Sequence, residues 1–458
     1  MLNVIWLAML VIAVLVAGFT GKLPEMTSGA FEGAEKAVMK VALPLLGLWA
    51  IWLGIMRLAE RSGLVQGLAS ALRPVMRRLF PDVPSDHPAI GAMVMNMAAN
   101  MIGLGNAATP LGLRAMRLLE SINPQPGTAT NAMCTFLTLN TASIQILPLT
   151  AIAILASAGA KSPTAIVISG FLATVCAATA GVLTAKLLEK LPAFRVVAEP
   201  ASAEVSAVAD TTKAETLELE KIEIRPFTTA HRITLWLYVA VFALLFLLFQ
   251  FREAFEHFLQ SLSPYWHAPP LPKEFAGKGP VVRALMTVST LAIPFLLSFF
   301  PLYAALRGVK VYEQFVEGAK EAWGTAQRTI PYLVAMLVAI GMLQKAGVID
   351  LLTRALAPAL AFVRFPAELV PMVLMRPLSG SATNGIFIDL VQRLGEPDGF
   401  ISRLAGTIYG STETTFYVIA VYFGSVSIRR TRHAIAAGLT ADAVAVIAST
   451  AICGLLFR

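Results

Sequence analysis

GLVQGLASALRP at 63–74 and GVIDLLTRALAP at 347–358 carry Gly, Leu, Ala, Leu and Pro in the same register. Ahead of the two stretches stand FEGAEKA from Phe31 and FVEGAKEA from Phe315. Behind each comes a polar break inside an apolar run: NMAANMIGLGNAATPLG at 96–112 and RPLSGSATNGIF at 376–387. A chain written twice, with a polar interruption in each copy, has the sequence form of secondary transporters. Their sites form where broken helices meet near mid-membrane.

Composition agrees. The 458 residues are 57% hydrophobic and 14% charged, with mean hydropathy +0.71, against roughly a quarter charged in an average soluble domain. Runs near the roughly 20 residues that cross a bilayer lie at 2–18, 40–58, 163–186, 232–251, 284–306, 327–344 and 434–457. Stretches 88–103, 129–157, 365–380 and 404–427 are apolar with polar interruptions. The runs are continuous rather than alternating, which excludes a closed β-barrel. The expected fold is all-α: a polytopic helical membrane protein of two homologous repeats, inverted in topology, with broken helices. Its partners are then the lipid bilayer and a small-molecule solute, with a homo-oligomer left open. Net charge is +8, but Lys and Arg collect at the ends of apolar segments, as the positive-inside rule requires. No basic stripe interleaved with aromatics occurs, so no nucleic acid is expected.

Four segments follow. Residues 1–191 form the first repeat, opening on an apolar helix read as a retained span rather than a signal peptide. Residues 192–231 form a polar, acidic linker, expected to be cytoplasmic and partly disordered near 198–212. Residues 232–283 add one span and a Pro-rich loop with Trp266, and 284–458 form the second repeat. Each repeat is expected to hold a spanning helix, a short amphipathic helix (28–39; 312–326), a second span with Pro44 or Pro331, and a second amphipathic segment (62–79; 347–361). The polar break, a polar-spiked helix and a last span follow. Arg57, Arg61, Arg73, Arg77 and Arg78, the basic end of the first repeat and the IRRTRH loop at 428–433 all read as cytoplasmic. The extra span would reverse the second copy, with the N-terminus inside and the C-terminus outside.

Polar residues at membrane depth are the candidate site. Asn96 and Asn100 are four apart and share a helix face. Gly103, Gly105, Asn106 and Thr109-Pro110 then stop or kink that helix, freeing backbone groups to face a solute. The alternative is interhelical hydrogen-bond glue, worth about 1 kcal/mol each, which is the favoured reading for Asn96. In the second break stand Arg376, Ser379, Ser381, Thr383 and Asn384. An arginine at helix centre costs roughly 2.5–3.5 kcal/mol and needs a partner, for which Glu413 is the obvious choice. The pair is either a structural lock or a contact to solute or coupling ion. Around Glu413 lie Ser411, Thr412, Thr414 and Tyr417. Their first-half counterparts are Thr138, Asn140, Thr141, Ser143 and Gln145, with Asn140 standing in for Glu413. Together they suggest a cavity-facing stripe, although a lone Ser or Thr usually bonds its own helix.

Other chemistries lack support. Cys134, Cys176 and Cys453 are far apart in apolar surroundings and read as small core residues, not a disulfide or zinc site. His87, His231, His257, His267 and His433 do not converge and read as solvated. No P-loop, H-E-x-x-H or Ser-centred elbow occurs, so neither an enzyme nor a cofactor is expected.

NMAANMIGLGNAATPLG with TLNTASIQILP resembles bacterial spore maturation protein A. RPLSGSATNGIF with GSTETTFYVIAVYFGSVSIRRTRHAIAAGL resembles spore maturation protein B. The chain thus looks like a fusion of the two, within the wider nucleoside recognition or Gate group shared with nucleoside transporters and the membrane part of ferrous-iron transport protein B. The resemblance implies a transporter-like module in a bacterial inner membrane. The iron-transport relatives carry cysteine in their pore motifs, and neither break here contains one, which speaks against iron. The leading expectation is a transporter or flippase-like permease for a small polar or amphiphilic solute, anionic or nucleoside-like. The competing one is a non-transporting scaffold in envelope or spore maturation. An ion channel ranks third, for want of a charged ring or carbonyl filter.

Overall fold

The computed structural model describes residues 2–84, 87–103, 105–194, 226–262, 275, 278–348, 351 and 365–457. The disorder expected near 198–212, Trp266 and most of 347–361 lie outside the described residues. Helices come in the order α1 Leu2–Thr20, α2 Leu23–Glu35, α3 Leu43–Arg61, α4 Leu64–Leu79, α5 Pro88–Ile102, α6 Gly105–Glu120, α7 Asn131–Ala142, α8 Leu149–Ser157 and α9 Ile166–Leu188. After the linker come α10 Thr229–Gln250, α11 Arg252–Leu262, α12 Pro280–Leu306 and α13 Val311–Lys345. The chain closes with α14 Val370–Met375, α15 Gly380–Leu394, α16 Phe400–Ser411, α17 Thr415–Gly424 and α18 Ala434–Phe457. No strand occurs among the described residues, and the all-α polytopic class holds.

Six helical runs among the described residues are long and apolar enough to cross a membrane: Leu23–Arg61, Pro163–Leu188, Thr229–Gln250, Pro280–Leu306, Val311–Lys345 and Ala434–Phe457. The first stretch, 2–18, forms α1, whose apolar part Trp6–Thr20 is shorter. Two expectations fail here. The amphipathic helix 28–39 does not stand apart from the span 40–58, because α2, a π-helical turn at Lys36–Ala42 and α3 run on as one 39-residue rod. A proline inside a helix clashes with the carbonyl four residues back and lacks its N–H. The π turn widens the helix just before Pro44, so the rod continues. Likewise 312–326 and 327–344 form the single helix α13, with Pro331 inside it. At 1.5 Å per residue its 35 residues reach about 50 Å, beyond the ~30 Å hydrocarbon core, so α13 tilts or projects.

The repeat glycines let the rods cross closely. A Cβ on Gly33 of α2 would lie 2.4 Å from the Leu337 carbonyl oxygen on α13. One on Gly318 of α13 would lie 2.6 Å from the Leu53 carbonyl oxygen on α3. Gly33 and Gly318 are the glycines of FEGAEKA and FVEGAKEA, and each rests on the backbone of the rod that carries the other. Gly29 and Gly341 meet in the same crossing. Gly63 and Gly347, which open the quoted 12-residue copies, are both left-handed, at φ 79° and 84°.

The halves share their cores. One cluster joins Met93, Met116 and Phe136 to Val418 and Phe423. Another joins Val41, Leu45 and Ile154 to Leu337, Phe387 and Ile408. The extra helix α10 has no buried residue and leans on α12, where Tyr238 donates to the Phe295 carbonyl at 3.0 Å. Loops 124–130 and 427–433 join at one end of the bundle, where the Ala129 N–H donates to the Arg430 carbonyl at 3.0 Å. Arg432 also donates to the Phe194 carbonyl, so the start of the linker and the basic loop lie at the same end.

Candidate functional site

Four helices are interrupted in the middle of the bundle. α5 stops at Gly103, at φ 90°, and α6 begins two residues later. α6 then passes through Pro110 without stopping, so the expected break at Thr109-Pro110 is absent and the interruption falls before α6, at the Gly103 cap. α7 ends at Ser143, a non-glycine at φ 38°. α14 gives way to Arg376–Ser379, and α16 to extended Thr412. Freed backbone groups pair across the gaps. Ile146 N–H donates to the Met101 carbonyl at 3.0 Å, Phe416 N–H to Pro377 at 3.0 Å, and Glu413 N–H to Thr141 at 2.7 Å. The Thr174 hydroxyl of α9 donates to the Ala142 carbonyl at 2.8 Å. The interrupted backbone is thus enclosed in protein, the condition that hydrocarbon would impose on it.

Asn96, Asn100 and Asn140 form a hydrogen-bonded network with Tyr422, in which the buried Oδ1 of Asn96 has no partner among the described residues. Asn96 donates to the Ala108 carbonyl at 2.7 Å and to Tyr422 Oη at 3.4 Å. Asn100 donates to Asn140 Oδ1 at 3.0 Å, the Tyr422 hydroxyl donates to the same oxygen at 3.1 Å, and Asn140 donates to the Phe136 carbonyl at 2.9 Å. A Cβ on Gly112 would lie 2.4 Å from Tyr422 Oη, so the phenol fits only against glycine. These contacts tie α5, α6, α7 and α17 together. Thr138 bonds its own helix at Cys134. Thr109 is partly buried on α6, and the Asn106 side chain lies outside what is described.

The charged group is arranged differently. The Arg376 side chain is 6% exposed and that of Glu413 44%, with Nη2 3.9 Å from Oε2. Arg376 also donates to the Thr412 carbonyl and stacks 4.5 Å over the Tyr409 ring. Gln145 donates to Glu413 Oε1 and to Ser143 Oγ, each at 3.2 Å. The half-exposed carboxylate is therefore held between one interruption in the first half and another in the second. Helix ends correct the expected alignment. Ser143 and Thr412 cap α7 and α16, and the residue that contacts Glu413, one past the second cap, is Gln145, two past the first.

Other expected residues scatter. Ser379 caps α15 through the Ala382 N–H at 3.2 Å, Thr383 bonds the Ser379 carbonyl at 2.7 Å, and Ser411 bonds Ile408 at 2.9 Å. Ser381 is partly buried. Thr414 packs at Gly380, where a Cβ would lie 2.9 Å from its hydroxyl oxygen. Asn384 and Thr141 are buried, and their Oδ1 and Oγ1 have no partner among the described residues. Tyr417 is 58% exposed and is no part of an inward stripe, because α17 turns it outward while Tyr422 faces in. No hydrogen bond among the described residues joins 96–110 directly to 376–384. α7 and α17 bridge the two.

Sequence reasoning missed several residues. Asp442, inside α18, accepts from the Thr415 hydroxyl at 2.5 Å. A single carboxylate within an apolar span is signal enough. Lys36, at the π turn, pairs with Asp389 of α15 at 2.8 Å. Tyr422 passed as one more aromatic. His433 was read as solvated but is fully buried, edge-on to Phe194 at 5.8 Å between centroids. Burial, helped by Arg432 and Lys186, pulls its pKa down to about 4. A cavity of about 380 Å³ lies at the loop end, between Asp82, Asn123, Asn131 and Arg432, away from every expected site residue. No group of three or more His, Cys, Asp or Glu able to hold a metal occurs among the described residues.

Comparison with known proteins fits this geometry. The chain is 41% identical over 175 residues to spore maturation protein A of Bacillus subtilis (strain 168), covering 38% of this chain and 89% of that protein. It is 45% identical over 170 residues to spore maturation protein B of the same organism, covering 37% of this chain and 95% of that protein. Residues 42–190 and 326–429 match the profile of the nucleoside recognition (Gate) family. They hold all four interruptions and every residue of the Arg376–Glu413–Gln145 group, and the chain belongs to that family of multi-pass membrane proteins.

Proposed function

We propose that the chain is a permease of a bacterial inner membrane for a small polar or amphiphilic solute, anionic or nucleoside-like. The carrying observation is Glu413, half-exposed yet held by Gln145 and Arg376 at the meeting of interrupted helices. An anionic group can replace Glu413 on the buried Arg376, and the released carboxylate and the Gln145 amide can take hydroxyls or ring nitrogens. A bound solute shifts a conformational equilibrium only through its differential affinity for the two states. Exchange of partners at Arg376 supplies that difference. The reciprocal Gly33 and Gly318 contacts support two inverted copies rocking against one another. On this reading the protein is not an enzyme.

A thermal-shift screen of the purified chain against nucleosides, dicarboxylates and lipid phosphates tests the reading, since specific binding raises apparent stability. A solute that stabilises the wild type and not Arg376→Met supports it. The asparagine–tyrosine network, which ties helices to one another, favours a second reading, a membrane scaffold in envelope or spore maturation. A screen in which nothing stabilises the wild type would point there.

A further inference from the structure

Asp442 is unused by the solute site just described. It sits mid-way along α18, is 7% exposed, and has Oδ1 sealed from solvent with no partner among the described residues. Its other oxygen accepts from the Thr415 hydroxyl at 2.5 Å, and the Thr412 hydroxyl is a second side-chain partner of the carboxyl. An ionised carboxylate is purely an acceptor with about four lone-pair sites. Leaving one of its oxygens bare in a low-dielectric interior costs several kcal/mol. A proton on the carboxyl removes that cost.

The surroundings are built around this group. Gly438 lies one turn before Asp442, and a Cβ there would fall 2.8 Å from Thr415 Cγ2. Only glycine lets the start of α17 come this close. Thr141, whose buried hydroxyl also lacks a partner, lies beside the same glycine, its Cγ2 3.6 Å from that position. The charged side chains that face Asp442 are Arg376 and Glu413. The packed helices add little: α7 and α17 contain no Asp, Glu, Lys or Arg, while α9 has only Lys186, α12 only Arg283 and α16 only Arg403, each near an end distant from the interruptions.

We propose that Asp442 is the proton-carrying group of the transport cycle, loading and releasing one proton per turn. The role rests on the permease reading above. On loading, hydronium reaching half-exposed Glu413 passes its proton on to Asp442, an O–H bond forms on the Asp442 carboxyl, and water is left behind. Arg376 then answers to Glu413 alone. On release the proton returns to water, and Arg376 is shared between two carboxylates. Proton occupancy thereby sets how tightly Arg376 holds Glu413, and so how readily a solute replaces it.

Infrared difference titration of the full chain in nanodiscs reads the proton without any solute. The wild type should gain a protonated-carboxyl carbonyl band as pH falls, Asp442→Asn should lose that component, and Glu413→Gln should keep it. Thr415→Val should shift the band by removing its hydrogen bond. If Asp442→Asn does not fold, labelling with carboxyl-13C aspartate assigns the band to an aspartate by its isotope shift, and its further shift in Thr415→Val assigns it to Asp442, the partner of that hydroxyl. A carboxyl signal unchanged in Asp442→Asn, one that is not isotope-shifted, or one that sodium abolishes at constant pH would overturn the assignment. A failed titration leaves the solute site standing, and a failed solute screen leaves the band in place.

Discussion

The side-chain amide of Gln145 donates to Glu413 Oε1 at 3.2 Å, joining the interruption after α7 to the interruption after α16. Arg376 approaches the other carboxylate oxygen, so one half-exposed acid is gripped from both halves of the chain. The two members of the ion pair differ sharply in burial, and that difference has measurable consequences.

Glu413→Ala should destabilise more than Arg376→Met. Removing Glu413 strands a buried guanidinium, which costs about 3–5 kcal/mol. Removing Arg376 leaves a carboxylate that is half-exposed and still bonded to Gln145, for about 1 kcal/mol. Thermal unfolding in detergent reads the order, and equal losses would contradict the asymmetry.

Gly33→Ala and Gly318→Ala should destabilise by similar amounts, about 1–3 kcal/mol each. In both cases the new Cβ meets a backbone carbonyl, at 2.4 and 2.6 Å, which cannot rotate away. A large loss in one and none in the other would break the reciprocity of the crossing.

Buried His433 sets an acid limit. Its pKa is pulled down to about 4 from an ordinary value of 6.5, so the unfolded chain binds the proton more tightly. Its contribution is fully present above pH 6.5 and is lost as pH falls from 6.5 towards 4. The loss is on the order of 3 kcal/mol. His433→Phe keeps the edge contact to Phe194 and removes two unpartnered ring nitrogens. It should flatten stability between pH 7 and 4.5, as followed by unfolding curves at several pH values.

Tyr422→Phe removes a hydroxyl that receives from Asn96 and donates to Asn140. It should cost about 1–2 kcal/mol and leave solute binding unchanged, because the asparagine network is cement. A binding loss without a stability loss would return these asparagines to the solute site.

Much of this was legible in the residues. Long apolar runs gave the spans, because hydrocarbon admits little else, and an arginine in such a run had to find a carboxylate. The continuity of Leu23–Arg61 was not legible. Lys36 and its polar neighbours read as a surface helix until Asp389, 353 residues away, supplied a partner. The pairing of Gln145 with Glu413 also escaped, because it is a contact between loops 268 residues apart that no local pattern encodes. His433 was misread for a related reason. Its neighbours in sequence are arginines, while its burial comes from Phe194 in another segment.

The most direct test of the central claim is solute flux into proteoliposomes, with wild type beside Glu413→Ala, using whichever nucleoside or anion stabilises the purified protein. The account predicts uptake above that of protein-free vesicles and its loss in the variant. Folded wild-type protein that binds the solute yet moves none of it, or a Glu413→Ala variant that transports at the wild-type rate, would contradict it.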